Sequence, residues 1–372
     1  MVRCAGCSRS LSGSYVKAAG KAWHQACLRC SGCGQTIEGT FVEDKGKTWH
    51  QACALSHLAD RCAGCNQPIQ GPLFKALSKS WHPTCFACAG CGKPITAKKF
   101  NVHDNRPWHP DCYRRQVVPP CTVCGEPLTQ KHIIDEWGHR YCHFHPKRLP
   151  ACYSCGCLIC ESLTRGGQKF PDGRTLCAGC LQTAVVNQAE GQHLLLETRK
   201  TMEHMGFSFE GTETPFRLAA QAELDKLRKR KRKSRPSLGM ARSQILTRGN
   251  KVVERNFEEI LIVNGLPAEH FCSVAAHELG HAWLFLKGFP TLPERVEEGL
   301  ATLSEAFWLE RQDTEIARIR LKRIHKSDDP VYGGGFRAAR SALKKMKLAK
   351  LLTYVHKHKR FPGDNLLGRL FS

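Results

Sequence analysis

The sequence predicts an α+β protein: tandem small zinc-ribbon-like modules, then a mostly helical domain with a small sheet. Three observations carry that prediction. Cysteine and histidine recur in paired knuckles through residues 4–180. Two histidines, His277 and His281, stand four apart inside an apolar helical pattern. Between these regions the apolar residues switch from helical periodicity to short strand-like runs.

Composition fixes the class. The chain has 372 residues, 22 cysteines and 18 histidines. Cysteines in CxxC pairs with interleaved histidines mark zinc sites more often than a disulfide framework. No N-terminal apolar run resembles a signal peptide, and no apolar stretch is long enough to span a membrane. A reducing, cytoplasmic setting is therefore expected. The formal net charge of +23 suits an acidic partner such as a protein surface, anionic lipid or nucleic acid.

The first array runs Cys4, Cys7, His24, Cys27, Cys30, Cys33, His50 and Cys53. The second repeats it as Cys62, Cys65, His82, Cys85, Cys88, Cys91, His109 and Cys112. Each supplies enough soft or borderline ligands for two tetrahedral zincs. Trp23, Trp49, Trp81 and Trp108 each precede a ligand histidine and are expected to fill the space between knuckles too short to fold without metal. Both arrays resemble LIM domains, here at 1–58 and 59–117. The resemblance implies protein binding, and it implies ligand sets. Cys4, Cys7, His24 and Cys27 share one ion, and Cys30, Cys33, His50 and Cys53 the next. Cys62, Cys65, His82 and Cys85, then Cys88, Cys91, His109 and Cys112, repeat the arrangement. DNA readout is the weaker reading, because the knuckles do not form the C2H2 pattern and no arginine-rich recognition helix follows them.

Residues 118–182 break the spacing and read as an irregular, LIM-like double-zinc domain. Cys121 and Cys124 lead to Cys142 and His145, and Cys152 and Cys155 lead to Cys177 and Cys180. That makes two more four-ligand sites. His139 offers another pairing with Cys142 and His145, and Cys157 and Cys160 are also available.

Residues 183–240 read as a helical linker. Ala184, Val185, Ala189 and Leu194–Leu196 give a first helical stripe. Thr214 and Pro215 cap and open a second helix at Phe216. Lys226–Arg235 is a basic run, read either as a solvated helix end or as a surface for nuclear targeting, nucleic acid or an acidic partner. It lacks interleaved aromatics, which weakens single-strand nucleic-acid binding.

Residues 241–372 carry the chemistry. Gln244–Arg248 and a turn at Gly249-Asn250 precede a strand at Phe257–Val263, whose edge can pair with an extended peptide. Pro267 marks the start of the next helix, and Cys272 reads as a packed thiol. On that helix His277 and His281 share a face and can reach one zinc, with Glu278 beside them to polarise water. A second helix at Leu292–Glu305 carries Glu294, Glu297 and Glu298. Glu298 beside Gly299 can approach a metal closely, so the site is His277, His281 and Glu298 with water fourth. Glu297 points about 100° away on a helix; Glu297 or Glu294 would hold a ligand imidazole from behind. Tyr332, beside a flexible loop at Gly333–Gly335, and His325 are candidates for the donor to a tetrahedral intermediate. Phe336–His358 reads as one long basic helix. Leu366, Leu367, Leu370 and Phe371 form an apolar tail.

His277-Glu278-Leu279-Gly280-His281-Ala282-Trp283, followed by Arg295-Val296-Glu297-Glu298-Gly299, resembles the glutamate-type zinc metallopeptidases. Together with the LIM modules it looks like the plant organ-size-regulating LIM peptidases. The likeness extends to Asp172–Arg174, Leu176-Cys177, Val331–Gly333 and Gly335–Arg337. It implies a latent zinc endopeptidase with a glutamate-zincin domain, selected protein substrates and a link to ubiquitin signalling. It also favours Glu298 as third ligand, since glutamate precedes glycine in that pattern. No acidic ubiquitin-interacting helix stands before Cys4. The expected protein is a monomer with about seven zincs, one catalytic and six structural. Glu278 is its general base, and its partners are protein substrates or regulators, acidic or ubiquitin-linked. The alternatives are a LIM scaffold with an inactive peptidase fold and, behind it, a nucleic-acid-binding zinc protein.

Overall fold

Cysteine-rich segments of this length form little beyond hairpins and turns before a metal gathers their ends. In the computed structural model, which describes residues 2–227, 237–249 and 251–364, that is the form they take. Two units emerge, one running to Pro120 with Pro127–Thr129, the other holding Cys121–Glu126 and the chain from Gln130 onward.

In the first unit four antiparallel hairpins deliver the four tryptophans: Val16–Ala18 with Lys21–Trp23, Phe41–Asp44 with Lys47–His50, Phe74–Ala76 with Lys79–Trp81, and Asn101–His103 with Arg106–Trp108. Each tryptophan closes against the glycine inside a CxGC knuckle. A Cβ on Gly90 would fall 2.6 Å from the Trp108 ring, and one on Gly32 would fall 3.1 Å from Cys53 Cβ and 3.2 Å from Trp49. At Gly90 a side chain would force the tryptophan to shift, and at Gly32 it would crowd Trp49. The cores are small: Leu28, Ile37 and Trp49 in one module, and Phe86 ringed by Phe74, Trp81 and Phe100 in the other.

The second unit combines the irregular cysteine segment with the helical domain. Two hairpins, His132–Ile134 with Arg140–Cys142 and Gly167–Lys169 with Thr175–Cys177, carry the knuckles. Helix α1 (Gln188–Glu203) starts where the Asn187 side chain accepts hydrogen bonds from Ala189 and Glu190 N–H. The helix expected at Phe216 is instead a strand, β1 (Phe216–Ala219), and the helix α2 (Gln221–Leu227) begins later. The reason is long-range pairing. Strand β2 (Gly239–Arg248) lies antiparallel to β3 (Lys251–Val263), while β1 lies parallel to β3 with Phe216 opposite Ile260 and Ala219 opposite Val263. Ile260–Val263 is wholly buried, as a central strand covered on both faces requires. The order β1-β3-β2 leaves β2 at the edge.

Helix α3 (Ala268–Leu286) follows Pro267, and α4 (Glu294–Leu309) follows Pro293; proline suits a helix start because that N–H has no intrahelical partner. Then come α5 (Glu315–Lys326), α6 (Tyr332–Leu343) and α7 (Leu348–His358). The single long basic helix expected over 336–358 is thus broken between Leu343 and Leu348. Its buried residues explain the break: Phe336, Ala339 and Ala342 keep one helical face, but Leu351, Leu352 and Val355 belong to another. Gly333–Gly335 is not a loop. It forms the first turn of α6, where Gly335 meets Gly299; a Cβ on Gly299 would lie 2.6 Å from the Gly335 carbonyl carbon. The basic run from Arg228 to Arg235 and the tail at Leu366, Leu367, Leu370 and Phe371 lie outside the described residues. Among the described residues no helix is long and apolar enough to cross a membrane.

Candidate metal centre

The knuckles gather their ligands closely. Cys4, Cys7, His24 and Cys27; Cys30, Cys33, His50 and Cys53; Cys62, Cys65, His82 and Cys85; Cys88, Cys91, His109 and Cys112; and Cys121, Cys124, Cys142 and His145 each place one donor atom per residue within 4.8 Å of the others. Histidine Nδ1 faces sulfur in the LIM units: 3.4 Å from His24 to Cys7 and 3.3 Å from His50 to Cys33. The sixth set is Cys152, Cys155, Cys177 and Cys180, with Cys155 and Cys177 sulfurs 3.8 Å apart. Zinc–sulfur bonds of about 2.3 Å meeting at a tetrahedral angle separate two sulfurs by about 3.8 Å. His139 is not brought into a set; its Nδ1 pairs with Asp135 at 3.0 Å. Cys157 and Cys160 also stand outside these sets, with Cys160 Sγ near the Ser162 hydroxyl.

Local electrostatics suit a cation. Burial opposes ionisation of Cys4, yet the N–H groups of His24, Cys7 and Gly6 bring its thiol down to about 6; Cys30, Cys62, Cys88 and Cys121 repeat this. Burial and the Cys7 and Cys4 sulfurs push Cys27 up to about 11. Four ligands cannot all stay deprotonated without a positive centre. In all, seven groups among the described residues can hold a metal ion, the number expected.

The remaining group lies where α3 crosses α4. Gly280 permits this close crossing, since a Cβ there would strike the Ser304 hydroxyl. His277 Nε2 is 3.3 Å from His281 Nε2 and 3.3 Å from Glu298 Oε2, and His281 Nε2 is 3.5 Å from the same oxygen. Bonds of about 2.0 Å to a shared tetrahedral centre put their ligand atoms about 3.3 Å apart, so the triangle fits one zinc. Behind the imidazoles, His281 Nδ1 lies 3.2 Å from Glu297 Oε1, and His277 Nδ1 lies 3.5 Å from Glu305 Oε2. Ser273 donates to the other Glu305 oxygen at 2.6 Å. Glu305 escaped the sequence reading. Its signal was present, because it stands two helical turns beyond Glu298 on one face of α4. Glu294 lines the cleft.

Burial works against a charged His277 or His281. The carboxylates prevail: Glu298 and Glu305 hold His277 well above its ordinary value, and Glu297 and Glu298 raise His281 to about 9. Glu298 is itself held far below the usual carboxylate range, burial notwithstanding, by the two imidazoles. The cluster thus favours positive charge between the imidazoles and Glu298, as a cation site does. Burial pushes the Glu278 carboxyl up, although the two imidazoles pull it down.

Glu278 is set by β2. Ala241 N–H donates to Glu278 Oε2 at 2.9 Å, and Gly239 makes room, since a Cβ there would lie 2.7 Å from Glu278 Cγ. A cleft of about 440 Å³ opens here, with Gly239, Ala241, Ser243 and Ile245 of β2 on one side and apolar Phe285, Phe289 and Leu292 on the other. Tyr332 lines it too, 38% exposed, its ring centroid 6.2 Å from that of His277. His325 is not brought to the cleft; it packs edge-on against Phe336, 5.0 Å between centroids. Cys272 is a buried thiol that burial raises to about 11.

The comparisons with known proteins follow these two regions. A family model described as DA1-like (Protein DA1) matches residues 215–321, which include the His277, His281 and Glu298 triangle. The LIM domain model matches 4–53, 62–115 and 88–149. The last match carries LIM spacing into the irregular segment. Protein DA1 of Arabidopsis thaliana is 30% identical over 339 residues, covering 75% of this chain and 63% of its own length. LIM domain-containing protein HDR3 of Oryza sativa subsp. japonica is 27% identical over 347 residues, covering 75% and 69%. Zyxin of Xenopus tropicalis is 34% identical over 103 residues, covering 26% and 15%. The chain spans 63% of the length of Protein DA1 and 62% of Protein DA1-related 1. Since the likeness runs through both the knuckles and the helical domain, the chain belongs to the DA1 family of LIM-containing proteins.

Proposed function

We propose that the chain is a zinc-dependent endopeptidase of the glutamate-zincin type, acting as a cytoplasmic monomer on protein substrates. The observation that carries this is the triangle of His277, His281 and Glu298 with Glu278 beside it at an open strand edge. A zinc ion held by those three residues would supply Lewis acidity and lower the pKa of water. Glu278 has one oxygen fixed by Ala241 N–H; its other oxygen takes the proton of the attacking water and passes it to the leaving amine. An extended peptide pairs with the outer edge of β2, which aligns the scissile amide with Glu278. Tyr332 stands at the same cleft as a hydrogen-bond donor to the oxygen that becomes negative. The thiolate-rich knuckles have full ligand sets and no open position, which supports structural roles for their metals and partner recruitment by the LIM modules.

The test is hydrolysis of a diverse peptide library by purified protein. Wild type should cleave, and Glu278→Gln should cleave about 10²–10⁴-fold more slowly while keeping its zinc. Equal rates for the two proteins would exclude this mechanism. Full zinc with no hydrolysis by wild type would favour a LIM scaffold on an inactive peptidase fold.

A further inference from the structure

The knuckle Cys152-Tyr153-Ser154-Cys155 departs from the LIM knuckles at both inner positions, and the second departure matters most. In those, the residue before the second cysteine is Gly6, Gly32, Gly64 or Gly90, pressed against its own tryptophan. Here it is Ser154, 2% exposed and turned toward the helical domain. Its Oγ lies 3.0 Å from His270 Nδ1 on α3 and 3.4 Å from an Arg320 Nη on α5. Arg323 adds hydrogen bonds to the carbonyls of Ser154 and Cys155, at 3.3 and 2.9 Å. The Tyr153 ring stacks on His270. A metal knuckle is thus docked on the rear of the cleft helices.

A buried polar stripe leaves this point along α3. His270, Ser273, His277 and His281 recur at helical spacing on one face. Ser273 donates to Glu305, and Glu305 reaches His277 Nδ1. Arg320 also stands in the field of Glu305: burial depresses its guanidinium to about 10, and Glu305 is the foremost influence opposing that.

We propose that Ser154 and Arg320 are positioning residues for the cleft metal: by docking the Cys152–Cys155 knuckle against His270 and the helix that carries Arg320, they keep the Ser273–Glu305 pair in place behind His277. The inference rests on reading His277, His281 and Glu298 as a zinc site. Support behind a metal-binding histidine typically changes affinity by about 10–100-fold.

Zinc content of the full chain, measured after dialysis against graded nitrilotriacetate, tests this beside the melting temperature. Wild type should carry about seven zincs and Glu298→Ala about six. Ser154→Gly, which installs the residue of the LIM knuckles, and Arg320→Met should release the seventh zinc at about tenfold lower chelator, in the same direction as Glu305→Gln. Arg320→Lys should recover part of the loss. A role confined to packing would lower the melting temperature and leave the seventh zinc unmoved. The two substitutions report independently, so misfolding of one leaves the other to decide. Wild-type retention in the folded variant, while Glu305→Gln releases zinc, overturns the proposal. Equal zinc counts in wild type and Glu298→Ala would instead overturn the metal-centre reading itself.

Discussion

Glu297 and Glu298 are adjacent in sequence and approach opposite nitrogens of one imidazole: Glu298 Oε2 lies 3.5 Å from His281 Nε2, and Glu297 Oε1 lies 3.2 Å from Nδ1. A helix turns by about 100° per residue, which sends neighbouring side chains to different faces of the same ring. Their removal should differ accordingly. Glu298→Gln takes a ligand from the triangle and should abolish zinc binding in the cleft. Glu297→Gln should weaken it by about 10–100-fold while leaving the site able to fill at high zinc. Isothermal titration of zinc into metal-depleted cleft sites separates the two, and equal losses would contradict the assignment.

Gly239 fixes the position of Glu278, the proposed general base, from the strand side. A Cβ there would lie 2.7 Å from both Cγ and an oxygen of Glu278 and 2.8 Å from Val274. Gly239→Ala should therefore displace the carboxylate, costing about 1–3 kcal/mol by overpacking. The peptidase rate should fall by more than that stability loss explains, with zinc content unchanged. A variant that cleaves peptides at the wild-type rate would show that Glu278 does not need this strand.

These positions show what was legible in the chain. Knuckle ligands and the His277–His281 pair are set by spacing within one hairpin or one helix turn, so residue order alone exposes them. Phe216–Ala219 reads as helix because its partner, Ile260–Val263, lies more than forty residues away and supplies the pairing that overrides local pattern. Gly333–Gly335 reads as a loop for the same reason: the need for glycine comes from Gly299 on another helix. Ser154 is unremarked in sequence because its partners, His270 and Arg320, meet it only in the folded chain.

His270 gives the domain an acid limit. Burial holds its pKa well below the ordinary value, with the positive charge of Arg320 acting in the same direction. The unfolded chain, where His270 titrates near 6.5, binds that proton more readily than the folded one. Stability from this group is therefore complete above about pH 6.5 and is lost as pH falls toward the depressed folded value, with a slope of at most about 1.4 kcal/mol per pH unit. Denaturant unfolding of the zinc-loaded protein between pH 7.5 and 5.5 checks this. His270→Gln should show a shallower slope over that interval; an identical slope would mean His270 does not carry the effect.

Zinc removal should act differently on different parts of the chain. The LIM modules bury little beyond Leu28 and Ile37 or Phe86 and Ile95, and their hairpin strands are three or four residues long. Such cores do not offset chain entropy without the metal. The helical domain instead shares one core running from Leu195 and Phe271 to Phe336 and Leu351. A strong chelator should thus expose the tryptophans at 23, 49, 81 and 108 to solvent while helical circular dichroism largely persists. Lowering pH should also release LIM zinc, as protons compete with the metal for the thiolates. Tryptophan fluorescence followed with and without chelator measures both effects. Coincident loss of fluorescence and helix signal would show that the helical core depends on the knuckle metals as well.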